Sequence, residues 1–471
     1  MSKNSSSEID ESEPKYSDLK KLLDAYQAKQ FDLAEKSALS ITKKHPKHPF
    51  AWRLLGALLN QAGRITESLD ACQMAVQLEP NNAEAHNNLG NTLYKLDRLD
   101  EAESSYKESI TLDPKNALAL FNLGQTQDKS GKLELAVTSY KEAIALKRNY
   151  VEAYSNLGVA LKSLGRLDEA EAAYSFAIGI NKDFMTARLN RGQLFFERGD
   201  FDLALRDFDL CNNPISRARA LAVLYALGRT DEIYHRIEIQ PEEDNENLRI
   251  EAIASFIAQL DNRESPHNFC KNPMDFIYFS NISQHRKNLN TFIKELIEEL
   301  TDVSVVWEPY NKATQKGFQS TINLFTNPLG KVRQLERIII DELDLYFSKF
   351  KHEKCIYMEK WPSNKRLIGW HVILKKHGNQ NAHIHPSGWL SGVIYLKAVP
   401  NLGKNEGAIE FSLNSKHYFH KKSPNFLYDP KEGDIVFFPS SLHHKTIPFT
   451  SDEDRIIVAF DLLPKDSKDC V

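Results

Sequence analysis

Three histidines stand where this chain could do chemistry: His383 and His385 in the run NAHIHPSGW, and His444 in PSSLHHKTIP. In extended backbone, residues i and i+2 point to the same side, so His383 and His385 can aim two imidazoles at one point. A third ligand from a partner strand closes one face of an octahedron. Nitrogen and oxygen donors with open positions opposite suit Fe(II) that activates O2. Of the adjacent histidines, strand alternation turns His443 the other way and leaves His444 as the ligand.

Arg455 heads an alternation in the strand after His444, with Ile457 and Ala459 on the same face. A fixed cation therefore lies near the metal. A guanidinium at the end of a pocket takes a carboxylate in a bidentate pair, which is what the distal carboxylate of 2-oxoglutarate needs as a cosubstrate. Tyr395, with Ser391 and Val393 on its parity in WLSGVIYL, adds hydroxyl donors for that carboxylate.

These residues need strands to hold them. After about Ser265 the composition turns aromatic and β-branched, and the hydrophobic period moves from 3.6 to 2. LIGWHVILKK, WLSGVIYLKAV, GAIEFSL, GDIVFFPS and RIIVAFDLL read as short strands bounded by Gly, Pro, Asn or acidic residues, as in a jelly roll. Helices over 288–300 and 332–349 precede them.

HIHPSGWLSGVIYL, GDIVFFPSSLHHKTIP and the Arg that follows resemble the 2-oxoglutarate/Fe(II) oxygenases related to prolyl hydroxylases, over roughly 354–464. The resemblance implies a double-stranded β-helix (jelly roll) with metal ligands His383 and His444. Pro448 follows the second of these by four residues. It also implies Arg455 for the cosubstrate and Tyr395 at a cosubstrate-contacting tyrosine position. One position departs from it: where most of that superfamily has Asp, this chain has His385. Either three histidines hold the iron, or His385 stands outside the ligand set and water or a carboxylate such as Glu410 completes it.

Two other readings share parts of this pattern. Gly378 before the histidine pair and Pro439 before His444 echo the metal motifs of cupins, although Trp389 occupies the place of their usual Glu. Zinc on three histidines would leave Arg455 without a role. A third reading keeps the fold without the chemistry, leaving a catalytically inactive adaptor.

The first half repeats. Gly56, Gly90, Gly124, Gly158 and Gly192 recur every 34 residues, and Ala102, Ala136, Ala170 and Ala204 keep that interval in a second register. Each unit reads as two amphipathic helices whose small residues allow close approach. The period and the Leu-Gly, Tyr, Ala and Pro pattern resemble the tetratricopeptide repeat, which stacks into a superhelix that holds peptide or protein. Asn88, Asn122, Asn156 and Asn190 each lie two residues before a repeat glycine. They form a candidate peptide-binding ladder, because an amide side chain both donates and accepts.

The organisation expected is a disordered 1–15, a repeat array over 16–214, a helical cap or linker over 215–265 and an oxygenase-like jelly roll over 266–471. With 60 basic and 64 acidic side chains, the formal charge of −4 gives no sign of a nucleic-acid partner. No apolar run is long enough to cross a membrane, and the N-terminal stretch lacks a signal-peptide core. Five scattered cysteines without a CxxC pair suit reduced, mostly buried thiols in the cytoplasm. The activity expected is an Fe(II)- and 2-oxoglutarate-dependent dioxygenase acting on a peptide or protein that the repeats recruit.

Overall fold

The computed structural model describes residues 13–240, 242–309, 312–403 and 405–465. The expected disorder of the N-terminus and the thiol of Cys470 fall wholly or largely outside them. The chain divides into two compact units, residues 1–198 and 199–471.

The first unit is a tetratricopeptide superhelix of paired helices, from Tyr16–Gln27 to Met185–Arg198. Its pairs close because a missing side chain on one helix faces a large one on the next. A Cβ placed on Gly90, Gly124 or Gly158 would come within 2.7, 2.7 and 2.5 Å of the rings of Tyr106, Tyr140 and Tyr174. Those tyrosines are fully buried, so the glycine is the space that the ring occupies. Asn82 and Asn116 cap their helices by accepting from backbone N–H groups of the first turn. Cys72 is buried here, and Cys211, Cys270 and Cys355 are buried in the second unit, none of the four in a disulfide.

The second unit begins with helices at Phe201–Cys211, Pro214–Ala226, Thr230–Glu238 and Leu248–Asp261. Ten strands follow among the described residues: β1 (Tyr278–Asn281), β2 (Val305–Trp307), β3 (Thr314–Ser320), β4 (Leu367–Gln380), β5 (Leu390–Lys397), β6 (Ile409–Ser412), β7 (Asn425–Tyr428), β8 (Asp434–Pro439), β9 (His443–Thr446) and β10 (Arg455–Leu462). They form two antiparallel sheets, in the orders β1-β8-β5-β10-β4-β3-β2 and β7-β6-β9. This is the double-stranded β-helix expected from the sequence, with all five anticipated strands present.

Alternation along the strands separates a packed face from a chemical one. Ile394, Ile435, Phe437, Val458 and Phe460 share a core with Leu335, Ile339, Leu343 and Tyr346 of the helix Gly330–Phe350. The opposite parity of β10, namely Arg455, Ile457 and Ala459, lines a cavity with residues of the smaller sheet. The leading helices belong to the same body. Phe256 packs on Tyr418 with ring centroids 4.8 Å apart, and buried Glu251 pairs with His267 at 2.7 Å.

Candidate metal and cosubstrate site

His383 and His385 lie on the stretch between β4 and β5, and His444 on β9. Backbone bonds join them: His383 and His444 exchange N–H···O contacts of 3.1 Å in both directions, and His385 N donates to Ser440 O at 3.0 Å. The three rings converge, with centroids 4.3 to 5.1 Å apart, and one ligand atom from each lies within 4.8 Å of the others. His443, on the same short strand, turns its ring to Tyr418 instead.

The hydrogen bonds on the far side of each ring settle which nitrogens are bare. Nδ1 of His383 meets Asn381 O at 2.7 Å, Nδ1 of His385 meets Asp461 Oδ1 at 2.6 Å, and Nδ1 of His444 meets Leu442 O at 3.2 Å. A carbonyl cannot donate, and the Asp461 oxygen already accepts from Ser391 Oγ at 2.6 Å. Each Nδ1 therefore carries the proton, and each Nε2 presents a lone pair. Nε2 of His383 and Nε2 of His385 face each other at 3.1 Å. Two lone pairs at that distance repel unless a cation lies beside both, and two nitrogens bound about 2.1 Å from one ion at right angles would lie roughly 3 Å apart. The donor set fits a divalent metal. Burial and the neighbouring ring of His385 push the His383 imidazole down to about 4, and burial with both partner rings pushes His444 well below its usual range. Both rings thus stay neutral, as metal ligands must.

The same cavity holds a cation without an anion. Arg455 is 1% exposed. Its Nη1 donates to Thr446 Oγ1 at 3.3 Å, its Nε has no hydrogen-bond partner among the described residues, and its guanidinium carbon lies 5.0 Å from the Tyr395 ring centroid. Desolvation lowers its pKa, so the charged form is strained where it lies. The Tyr395 hydroxyl is buried beside this guanidinium and has no other hydrogen-bond partner among the described residues, and burial pushes it up to about 12, which keeps it a donor. A buried guanidinium fork with a spare N–H beside a phenolic hydroxyl is the chemistry of a carboxylate receptor.

Not every residue singled out in the sequence faces this cavity. Ser391 shares the parity of Tyr395, yet its hydroxyl lies 2.7 Å from Ser440 Oγ and donates to Asp461. Glu410 opposes Lys445 across the β6/β9 pair and forms an ion pair with it at 3.1 Å, one position out of phase with the Phe411 and His444 pair. Trp389 is a core residue that donates Nε1–H to Tyr357 O at 3.0 Å. Asp461 and Thr446 were missed. A signal that Asp461 faces inward was available, because it continues the parity of Arg455, Ile457 and Ala459 and is the one acidic residue of a strand that is otherwise apolar after Arg455.

In the first unit, Asn88, Asn122, Asn156 and Asn190 each lie partly exposed on the first helix of a pair. Asn122 Nδ2 donates to Asn91 Oδ1 at 3.0 Å and to Asn87 Oδ1 at 3.3 Å, so this member already bridges two repeats.

Residues 369–461 match the family model described as "Putative 2OG-Fe(II) oxygenase". Tetratricopeptide-repeat models match 56–97 and 128–165, 83–116 and 151–184, and 105–138. The chain thus joins tetratricopeptide repeats to a segment of that oxygenase type. Comparison with curated proteins finds no match. Solved structures similar to part of the chain include MamA, at 25% identity, 38% of this chain, 97% of that one and a TM-score of 0.32. PilF of Pseudomonas aeruginosa is similar at 16% identity over 46% of this chain and 94% of that one, with a TM-score of 0.37. YrrB, a TPR protein with an unusual peptide-binding site, is similar at 19% identity over 42% of this chain and 100% of that one, with a TM-score of 0.34. No helix among the described residues is long and apolar enough to cross a membrane.

Proposed function

We propose that this protein is an Fe(II)- and 2-oxoglutarate-dependent dioxygenase that oxidises a peptide or protein segment held by its repeats. The observation that carries the reading is one cavity with three bare, convergent imidazole nitrogens and an unpaired, buried guanidinium. His383, His385 and His444 would hold the metal. Bound Fe(II) with 2-oxoglutarate would supply O2 activation coupled to decarboxylation of the cosubstrate to succinate.

The chain's own residues do the rest. Arg455 takes the distal carboxylate in its fork, and Tyr395 donates its hydroxyl to the same group. Ile457, Ala459, Val393 and Phe438 line the same cavity, and their apolar surface strengthens the ion pair. The carbonyls of Asn381 and Leu442 hold two ligand rings in the binding tautomer. The repeats raise the local concentration of a weakly held chain to as much as roughly millimolar, so capture does not depend on a deep pocket. The partly exposed amides of Asn88, Asn156 and Asn190 are the groups offered to that chain's backbone.

Succinate formation from 2-oxoglutarate under O2 tests the activity. His444→Ala should abolish metal binding and turnover together. Arg455→Lys keeps the charge but loses the fork, so it should raise the apparent constant for 2-oxoglutarate while metal content stays near wild type. Replacing the four ladder asparagines with Ala should weaken peptide capture without touching metal content. Absence of succinate above background with metal-loaded protein, across candidate peptides, would refute the enzymatic reading.

A further inference from the structure

The three ligand rings are not held alike. His383 and His444 give their Nδ1 protons to neutral backbone carbonyls, whereas His385 gives its proton to a carboxylate. Asp461 is 5% exposed and has no Lys or Arg ion pair among the described residues. One serine holds it and a second supports that one: Ser391 Oγ donates to Oδ1 at 2.6 Å, and Ser440 Oγ lies 2.7 Å from Ser391 Oγ. Ser391 and Asp461 are direct partners in the β5/β10 register, so the sheet itself sets this contact.

The turn that carries His385 is shaped around the carboxylate. A Cβ on Gly388 would come within 2.7 Å of Ser440 Oγ and 3.0 Å of Asp461 Cγ. A larger residue would have to push the Ser440 hydroxyl and the Asp461 side chain aside. Its backbone is tied on both sides: His385 N donates to Ser440 O, Gly388 N to His385 O, and Trp389 N to Leu462 O, at 3.0, 3.0 and 2.7 Å. A strand, a turn and the Ser391 hydroxyl thus converge on one carboxylate that touches one ligand ring.

We infer that Asp461 is a positioning residue of the metal site: its carboxylate takes the Nδ1 proton of His385 and keeps Nε2 of that ring bare for a divalent cation. This rests on the metal reading proposed above. Three imidazoles bring no charge to a dication, and Asp461 supplies a negative charge one ring away. A carboxylate behind a ligating imidazole orients the ring and raises its basicity, and its loss costs about 10- to 100-fold in metal affinity. Ser391 accordingly serves the carboxylate of Asp461 and not that of the cosubstrate.

The full-length protein decides this with two readouts that do not depend on turnover. In metal-free wild type, 15N shifts of the His385 ring should place the proton on Nδ1, and titration with Co(II), followed by its visible absorption, should give a dissociation constant. Asp461→Asn should weaken Co(II) binding 10- to 100-fold and shift His385 toward the Nε2–H tautomer. Ser391→Ala, which leaves the carboxylate, should show a smaller loss in the same direction and serves if Asp461→Asn fails to fold. A residue needed only for folding would lower the melting temperature without moving the tautomer or the affinity. A proton on Nε2 of wild-type His385, or unchanged Co(II) affinity in folded Asp461→Asn, overturns the assignment while leaving the metal reading intact. If wild type binds Co(II) no better than His444→Ala, the metal reading itself falls, and the role of Asp461 with it.

Discussion

Arg455 gives a prediction in which stability and binding move in opposite directions. Replacing it with Met keeps an unbranched stem as far as Nε in a site that is 1% exposed but removes the guanidinium and its charge. In the ligand-free protein that charge has no carboxylate partner among the described residues. Its compensation is a 3.3 Å hydrogen bond to Thr446 and the Tyr395 ring at 5.0 Å. An uncompensated buried charge costs about 3–5 kcal/mol. Losing the hydrogen bond costs about 1 kcal/mol, and losing the ring contact about 1–2 kcal/mol when desolvated. The remainder runs from about 0 to 3 kcal/mol in the variant's favour, roughly 1.5 kcal/mol at its centre, or about 3–6 °C in melting temperature for a unit of this size. Wild type should instead gain from 2-oxoglutarate, by about 2.7 kcal/mol at one hundred times its dissociation constant. Thermal denaturation of both proteins, with and without 2-oxoglutarate and in the absence of O2, should therefore show Arg455→Met melting higher alone and showing no response to ligand. A variant that melts several degrees below wild type without ligand would refute the idea of a cation kept unpaired for an incoming carboxylate. So would one that still responds to 2-oxoglutarate as wild type does.

The remaining predictions concern other parts of the chain. Burial pushes the His371 imidazole down to about 4 from an unfolded value of 6.5, so between those values the unfolded chain binds a proton that the native one refuses, and stability falls as pH falls. His371→Leu should remove that term: the stability difference between variant and wild type in urea denaturation should move by about 2 kcal/mol in the variant's favour from pH 7 to pH 5, and an unchanged difference would count against it. Two glycine substitutions should have opposite signs. Gly124→Ala forces a Cβ within 2.7 Å of the buried Tyr140 ring and should destabilise by about 1–3 kcal/mol, whereas Gly179→Ala meets nothing within 4 Å on the helix Leu167–Ile180 and should stabilise by up to about 1 kcal/mol. Thermal melts of the two variants check this pair. Residues 199–471 should fold alone with a cooperative melt, while 266–471 should not, because it lacks Phe256 against Tyr418 and Glu251 against His267. An equal melting temperature for the two fragments would show that the leading helices are dispensable.

The parts of this fold that were legible are those in which local pattern and final environment agree. The 34-residue glycine spacing reads directly as helix pairing because Gly90, Gly124 and Gly158 each meet a tyrosine ring 16 residues later in the same hairpin, and Gly56 meets Cys72 at the same interval. Strands β5, β6, β8 and β10 are largely apolar, β-branched and aromatic runs buried along most of their length, as is the first half of β4. The strands that escaped notice are mostly three or four residues long, such as Val305–Trp307 and Asn425–Tyr428, and are partly or largely exposed. Distant partners make them strands. β9 is the instructive case: His443–Thr446 pairs with β6 through the register Phe411↔His444, so the strand that carries a ligand is defined by a contact 33 residues away. The histidine pair was readable from i, i+2 spacing alone. The partner of His385 was not, because Asp461 lies 76 residues on and reaches it only through the β5/β10 register.

That register concentrates the proposed chemistry on one strand. β10 carries Arg455 at its first position and Asp461 at its seventh, both on the inward parity, with Ile457 and Ala459 between them lining the cavity. Six residues of strand span about 20 Å at ~3.4 Å per residue, so one rigid element separates the carboxylate receptor from the support of the metal ligand. β10 is also fastened along both edges, to β4 from Arg455↔Leu374 to Leu462↔Leu367 and to β5 from Ile456↔Lys397 to Leu462↔Leu390. A slip of one residue would turn Arg455 and Asp461 into the apolar core and bring Ile456, Val458 and Phe460 into the cavity, exchanging every side chain between the faces. Two charges would then be buried among Leu390, Ile394 and Phe437, a cost of several kcal/mol for each ion. The charged groups that would do the chemistry thereby also select the strand register, and neither can be moved to the other face without losing the site and the fold together.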